Sequence, residues 1–193
     1  MSPDDLLVIK DFLDAATREE IFALMRLAGG GPATVYGRQA GQGVVDSRVR
    51  QVTRVAVSQE ARERVMRRLL DAMGAIGEHF GISVNECEEP QFLRYMTGDF
   101  FVAHQDGNTP LIFDESRLRR ISVVIFLSPQ SEEPAPGAYG GGSLVLHGRY
   151  PDIDLRVPVA APPGALVAFR SETTHEVTPL THGERYTIVS WYR

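Results

Sequence analysis

His104-Gln105-Asp106 sets an imidazole and a carboxylate two positions apart. On an extended segment, residues i and i+2 point to one face, so both groups could reach one metal ion. One more imidazole would complete a 2-His-1-carboxylate set. Such a set binds one face of an octahedral Fe(II) and leaves the other positions open for a chelating cosubstrate and O₂. Thiolate ligands would instead steer toward zinc or iron–sulfur chemistry. The His-x-Asp motif is short and decides little by itself.

The third ligand must come from a later strand, and two histidines compete. His147 follows Gly141-Gly142-Ser143-Leu144-Val145-Leu146, and His175 follows the polar run Arg170-Ser171-Glu172-Thr173-Thr174. Arg185, ten residues beyond His175, favours His175. Arg185 opens an alternating run in which Arg185, Thr187, Val189 and Trp191 share one face. In a strand beside the one carrying His175, that face would line the interior. A buried, unpaired arginine is very costly. A carboxylate ligand would offset the cost, and the planar guanidinium suits bidentate carboxylate binding. From the residues alone, Arg185 could equally pair with an internal Asp or Glu, or point outward.

The elements that must hold these groups divide the chain in two. Residues 6–12 read as an entry strand. Thr17-Arg18-Glu19-Glu20 has the form of a capping box, followed by Ile21, Leu24, Met25 and Leu27 at helical spacing and by Gly29-Gly30-Gly31 as a stop. Residues 50–57 read as a strand. Ser58 is an N-cap candidate for a second helix over 59–80, with the stripe Val65, Leu69, Met73, Ile76 and Phe80, and Gly81 at its end. Arg62, Arg64, Arg67 and Arg68 fit a solvated helix face. His79 is read as an ordinary helix residue. After Gly81 short β-rich runs alternate with Gly/Pro loops: 91–96, 100–105, 120–127, 143–147, 154–159, 165–169, 175–177 and 185–192. Many short strands argue for a sandwich or barrel rather than a parallel sheet. The expected fold is mainly β with N-terminal helices: a double-stranded β-helix, jelly-roll and cupin-like, forming one domain over 1–193. Residues 1–90 would be support and 91–193 the core.

The bulk numbers agree with one domain: 193 residues, 43% hydrophobic and 23% charged. A net charge of -5 argues against general nucleic-acid binding, which wants a basic surface. The single cysteine, Cys87, cannot form an internal disulfide. The acidic start Met1-Ser2-Pro3-Asp4-Asp5 lacks the basic and apolar regions of a signal peptide, and no apolar run is long enough to cross a bilayer. A cytoplasmic protein is expected.

These landmarks, in this order, resemble the prolyl 4-hydroxylase-like Fe(II)/2-oxoglutarate-dependent dioxygenases. Arg94-Tyr95-Met96-Thr97-Gly98 resembles the family's Arg-Tyr-x-x-Gly lead-in. His104-Gln105-Asp106 resembles the ligand pair, 120–127 the strand after it, and Gly141-Gly142-Ser143-Leu144 the Gly-Gly-x-Leu turn. His175-Glu176-Val177-Thr178-Pro179 through Gly183-Glu184-Arg185 resembles the distal-histidine and basic-residue segment. Phe12-Leu13-Asp14 before a helix resembles the family's start. The likeness is good over the last hundred or so residues and loose before them. Ordered motifs are far more specific together than singly.

The resemblance implies that His104, Asp106 and His175 bind Fe(II). It implies that Arg185 binds the distal carboxylate of 2-oxoglutarate, with Tyr95 and Thr187 adding hydroxyls and Trp191 lining the cosubstrate pocket. Core-packing roles stand as alternatives for these last three. Collagen-type members carry Lys at the Arg185 position, whereas oxygen-sensor-type and many bacterial members carry Arg. The implied reaction couples decarboxylation of 2-oxoglutarate to succinate and CO₂ with O₂-dependent hydroxylation of an unactivated C–H bond, with ascorbate as reductant. A prolyl residue in a peptide or protein is the first expectation for substrate. A free amino acid or biosynthetic intermediate, or a non-catalytic metal-binding module, are the alternatives. No nucleic-acid or membrane partner is expected. Three loops, 36–48, 107–119 and 128–139, are long enough to cover the site. Arg48, Arg50 and Arg54 lie near the first, either as substrate contacts or as strand-face residues.

Overall fold

In this computed structural model the described residues are 5–33, 35–36, 43–44, 46–110, 112–148 and 154–193. The first half supplies β1 (Leu6–Ile9), α1 (Ala15–Leu27), β2 (Gly30–Pro32), β3 (Val35–Tyr36), β4 (Gly43–Val44), β5 (Arg50–Gln51), β6 (Thr53–Val55) and α2 (Gln59–Phe80). The second half supplies β7 (Gln91–Tyr95), β8 (Phe100–His104), β9 (Ile121–Phe126), β10 (Tyr139–Gly141), β11 (Leu144–His147), β12 (Arg156–Val159), β13 (Leu166–Arg170), β14 (His175–Val177), β15 (Leu180–Gly183) and β16 (Arg185–Tyr192). A 3₁₀ turn, Glu115–Leu118, lies between β8 and β9.

Two antiparallel sheets face each other. The larger runs β1-β13-β9-β16-β7-β6-β2 and the smaller β12-β11-β14-β8-β5, with the short β10-β15 pair separate. This is the double-stranded β-helix that the strand pattern suggests. The central strands show why a continuous apolar run was needed. Every residue of β9 is buried, because helices cover one face of the larger sheet and the smaller sheet covers the other. Ile121, Val123 and Ile125 join α1, α2, Ile188 and Tyr192 in the helix-side core. Val124 and Phe126 join Leu144, Leu146, Val167 and Phe169 between the sheets.

The second helix forms as its sequence predicts. Ser58 accepts from the Ala61 N–H, and Gly81 closes the helix at φ 63, a left-handed conformation that glycine adopts without Cβ strain. Its stripe is buried at Val65, Leu69, Ile76 and Phe80. The Tyr192 hydroxyl donates to Leu69 O at 2.8 Å and Arg170 to Phe80 O at 2.7 Å, fastening α2 to the sheet. The first helix starts earlier than the sequence suggests. Its cap is Asp14, whose carboxylate accepts from both the Thr17 N–H and the Thr17 hydroxyl, so Thr17 lies inside the helix and no capping box forms at Thr17–Glu20. A carboxylate is at least as good a cap as a hydroxyl. The Gly29-Gly30-Gly31 stop is partly strand, since β2 pairs with β6.

The helix arginines are only partly a solvated face. Arg64 pairs with Glu20 and Glu60, and Arg62 with Glu89. Arg68 donates to Phe12 O at 2.6 Å and lies over the Phe12 ring. Of the loop at 36–48, residues 37–42 and 45 fall outside the described residues. No described helix is long and apolar enough to cross a membrane.

Candidate metal and carboxylate site

Strands β8 and β14 lie side by side in the smaller sheet. Their register pairs His175 with His104 and Val177 with Phe101. Two steps along β14 thus match three along β8, which makes a β-bulge in β8. Strict alternation would send Phe101 and His104 to opposite faces. The bulge re-aims the strand, as bulges beside functional sites do. The Phe101 ring stacks on the His104 ring, with centroids 3.5 Å apart.

Asp106 lies just past the end of β8. Its N–H and that of Gly107 both donate to Ser171 O, at 2.9 and 3.1 Å, which holds the segment against the turn after β13. Gly107 permits this path. A Cβ there would sit 2.6 Å from Ser116 O and 2.5 Å from Arg119 Cβ, so the loop after the ligand pair can fold back only over a glycine.

The three side chains converge. His104 Nε2 is 3.5 Å from Asp106 Oδ1, and His175 Nε2 is 3.4 Å from Asp106 Oδ2. One ligand atom from each of the three lies within 4.8 Å of the others. Asp106 and His175 are buried. Each ring is fixed at its far nitrogen: His104 Nδ1 is 2.8 Å from Val102 O, and His175 Nδ1 is 2.9 Å from Thr173 O. A carbonyl can only accept, so Nδ1 carries the proton and Nε2 presents its lone pair to the centre. Burial, reinforced by the neighbouring His104, lowers the His175 pKa to about 4, against the pull of Asp106, so its ring is neutral near pH 7. Burial by itself would raise the Asp106 pKa. His175 and His104 overcome that and hold the carboxyl well below the usual carboxylate range. Imidazole lone pairs beside an ionised carboxylate are the donor set that a divalent cation requires.

His147 stands apart from this cluster. It lies on β11, with Nε2 3.1 Å from Glu176 Oε1. Val145 pairs with Glu176 and Leu146 with His175, so His147 and Glu176 occupy the sheet face opposite His175.

The second half of the site is on the larger sheet. Arg185 opens β16, opposite Tyr95 on β7, and is 2% exposed. Its guanidinium carbon lies 5.1 Å from the Tyr95 ring centre, 5.3 Å from Phe126 and 5.9 Å from Tyr139. Its Nη1 is 3.5 Å from Thr187 Oγ1. Among the described residues no carboxylate pairs with it, and its buried Nε has no hydrogen-bond partner. Neither the internal ion pair nor the outward orientation is realised. Gly142, at φ 56, keeps the space beside it open: a Cβ there would come within 3.3 Å of Arg185 Cδ and 2.5 Å of Leu180 Cδ1. A buried cation ringed by aromatic faces and lacking an anion fits a carboxylate ligand.

Over residues 90–193 the chain matches the family model of the 2OG-Fe(II) oxygenase superfamily. It belongs to that superfamily. A PKHD-type hydroxylase of Paracoccus denitrificans is 32% identical over 190 residues, covering 96% of this chain and 77% of that protein. A PKHD-type hydroxylase of Burkholderia ambifaria is 32% identical over 108 residues, covering 55% of this chain and only 43% of that protein. Among solved structures, a Pseudomonas putida prolyl-4-hydroxylase superposes with a TM-score of 0.72 at 22% identity, over 98% of this chain and 92% of that one. A Trichoplax adhaerens prolyl hydroxylase, solved with a peptide fragment of hypoxia inducible factor, gives 0.72 at 19% identity, over 98% and 84%. The chain is thus a 2-oxoglutarate/Fe(II) dioxygenase by family, with the fold of the prolyl hydroxylases, and the family implies Fe(II) and 2-oxoglutarate.

Of the residues that the sequence singles out, the fold clusters His104, Asp106 and His175, and separately Arg185, Tyr95 and Thr187. Trp191 lies further along the Arg185 face, opposite Ser122 in the register. It thereby lies beside the Ser122–Asp106 contact. Sequence reasoning misses Phe126 and Tyr139 around Arg185, and Ser122 behind Asp106. The Ser122 hydroxyl donates to Asp106 Oδ2 at 2.8 Å and lies 3.0 Å from Ser171 Oγ. Ser122 could have been noticed as the polar residue in the otherwise apolar run Ile121-Ser122-Val123-Val124-Ile125-Phe126. The aromatic wall carries no local signal.

Proposed function

We propose that this chain is a hydroxylase in which His104, Asp106 and His175 hold Fe(II) and Arg185 binds the distal carboxylate of 2-oxoglutarate. The observation that carries the reading is the buried Arg185, which has no carboxylate partner among the described residues and shares the inner face of the larger sheet with Ser122, the residue bonded to Asp106 of the two-histidine, one-carboxylate cluster. The metal supplies O₂ activation coupled to decarboxylation of the cosubstrate. The residues supply the rest. His104 and His175 offer fixed lone pairs, and Asp106 offers charge. Arg185, with the Thr187 hydroxyl beside it, orients the cosubstrate from its far end. Tyr95, Phe126 and Tyr139 shield that ion pair from water, which strengthens it. Trp191 bounds the metal end of the cosubstrate pocket.

The substrate in this reading is a prolyl residue of a peptide or protein, hydroxylated at an unactivated C–H bond. Its support is the shared fold with prolyl hydroxylases, one of them solved with a bound peptide. Two measurements test the reading. Anaerobic addition of Fe(II) and 2-oxoglutarate should give a visible charge-transfer band that Arg185→Ala weakens. A screen of proline-containing peptides, free amino acids and related metabolites, with ascorbate present, should give succinate release matched by a mass gain of one oxygen on a peptide. Release matched only by a free amino acid or other small metabolite would move the substrate to that class. A chain that shows neither band nor succinate would be a metal-binding module without turnover.

A further inference from the structure

Behind Asp106 lies a chain of contacts that the reaction as described does not use. Trp191 stands opposite Ser122 in the β16–β9 register, on the inner face, where Ser122 already donates to Asp106. The Trp191 side chain is buried, and its indole N–H has no hydrogen-bond partner among the described residues. An unsatisfied buried donor costs about 1–3 kcal/mol, so its placement calls for a cause. Its cross-strand position puts the indole beside the Ser122–Asp106 contact.

The indole ring is covered by a cation. The Arg119 guanidinium carbon sits 3.6 Å from the ring centre. Arg119 is 8% exposed and is itself held from behind: its Nε and Nη2 each donate to Glu88, both at 2.7 Å. Glu88 also accepts from Arg193 at 2.8 and 3.0 Å. A bidentate arginine–carboxylate pair fixes the guanidinium plane. A cation against an indole face draws on the ring's electron density, which makes its N–H a stronger donor. Arg119 also ends the loop that begins at Gly107, and it packs so close that a Cβ on Gly107 would sit 2.5 Å from Arg119 Cβ. Asp106 is thereby tied to Arg119 both through the loop and through Trp191.

We propose that Glu88, Arg119 and Trp191 form a positioning relay for the metal ligand Asp106, with the Trp191 N–H as its terminal donor. A carboxylate that binds a cation through one oxygen needs its other oxygen oriented. Ser122 supplies a neutral donor to Oδ2, and in this relay the Trp191 N–H supplies a second one to the carboxylate, neither competing with the cation. Glu88 acts at a distance, by locking the guanidinium that presses on the ring. The relay rests on the assignment of Asp106 as a metal ligand.

Trp191 is the single tryptophan of the chain, so its emission reports on this site alone. The test uses the full chain and Mn(II), with free Mn(II) followed by electron paramagnetic resonance and, where Trp191 is present, emission followed in parallel. Trp191→Phe keeps the ring and removes the donor, and should weaken Mn(II) binding about 10-fold, the usual size for an outer partner of a metal ligand. Glu88→Gln should weaken it several-fold and expose Trp191 to acrylamide quenching. In the Trp191→Phe background, Glu88→Gln should add no further loss, because both act through one N–H. Should Trp191→Phe fold poorly, Glu88→Gln with its emission readout decides alone. Binding within twofold of the parent in the single variants, or fully additive losses, would overturn the relay even if melting temperatures fell. A parent chain that binds neither Mn(II) nor Fe(II) would instead overturn the metal assignment, and the relay with it.

Discussion

The Ser122 hydroxyl donates to Asp106 Oδ2 across 2.8 Å, from β9, an inner strand of the opposite sheet. This contact couples the candidate metal centre to the larger sheet, whereas both histidines belong to the smaller one. Ser122 is 1% exposed, so its loss cannot be made good by bulk water. Ser122→Ala should lower Fe(II) or Mn(II) affinity by about 10-fold, while Ser122→Thr, which keeps the hydroxyl, should stay near the parent. Equilibrium dialysis of the three proteins against graded Mn(II) checks this. Equal affinities would show that the Ser171 backbone contacts alone suffice to set Asp106.

The two histidines that compete in the sequence separate cleanly in space. His175→Ala should abolish metal-dependent succinate formation, since His175 Nε2 faces Asp106 and no fourth ligand group joins the cluster among the described residues. His147→Ala should leave turnover largely intact, because His147 pairs with Glu176 on the other face of the sheet. The measurement is succinate release at saturating 2-oxoglutarate for both variants. The reverse pattern would sink the ligand assignment.

Much of this was legible in the sequence, for particular reasons. Helix α2 announces itself by Ser58, a regular stripe and Gly81, all local signals. The run from Arg185 to Trp191 alternates strictly, so its inner face could be read directly. The β8 bulge could not, because it adds a residue without altering composition. Strict alternation would therefore misplace Phe101 relative to His104. The strand also stops at His104, so His104 and Asp106 are brought together through a segment held by Ser171 rather than by the ladder. Tyr139 and Phe126 meet Arg185 only through tertiary packing. Thr17 reads as a cap in the sequence, yet Asp14 starts the helix one turn earlier and takes the Thr17 N–H and hydroxyl itself.

Gly142 should resist substitution on two grounds. Its φ of 56 strains any side chain, and a Cβ would press on Leu180 at 2.5 Å and on Arg185 Cδ at 3.3 Å. Gly142→Ala should lower stability by about 1–3 kcal/mol. It should also raise the KM for 2-oxoglutarate by displacing the guanidinium. Urea unfolding and cosubstrate titration together check this. A stability loss with unchanged KM would place the strain on Leu180 alone.

Arg185 carries a prediction in which stability and function move in opposite directions. Its guanidinium is 2% exposed, surrounded by Tyr95, Phe126 and Tyr139, and lacks a carboxylate partner among the described residues. Such a buried charge burdens the ligand-free fold. Arg185→Met preserves much of the volume and removes the charge. It should therefore stabilise the protein without cosubstrate, by about 1–4 kcal/mol if it follows other buried-charge replacements. The same change deletes the charge-assisted bonds to the distal carboxylate, each worth about 1.5–3 kcal/mol, so the 2-oxoglutarate requirement should rise by about 100-fold. Metal affinity without cosubstrate should hold, because Arg185 is not among the clustered ligand groups. Thermal melting with and without 2-oxoglutarate reads the stability and cosubstrate effects, and a Mn(II) titration reads the metal affinity. The parent should gain melting temperature from 2-oxoglutarate with Mn(II), and Arg185→Met should start higher and gain little. A variant that melts lower than the parent and still responds to 2-oxoglutarate would mean that Arg185 is a structural cation and that the cosubstrate is held elsewhere.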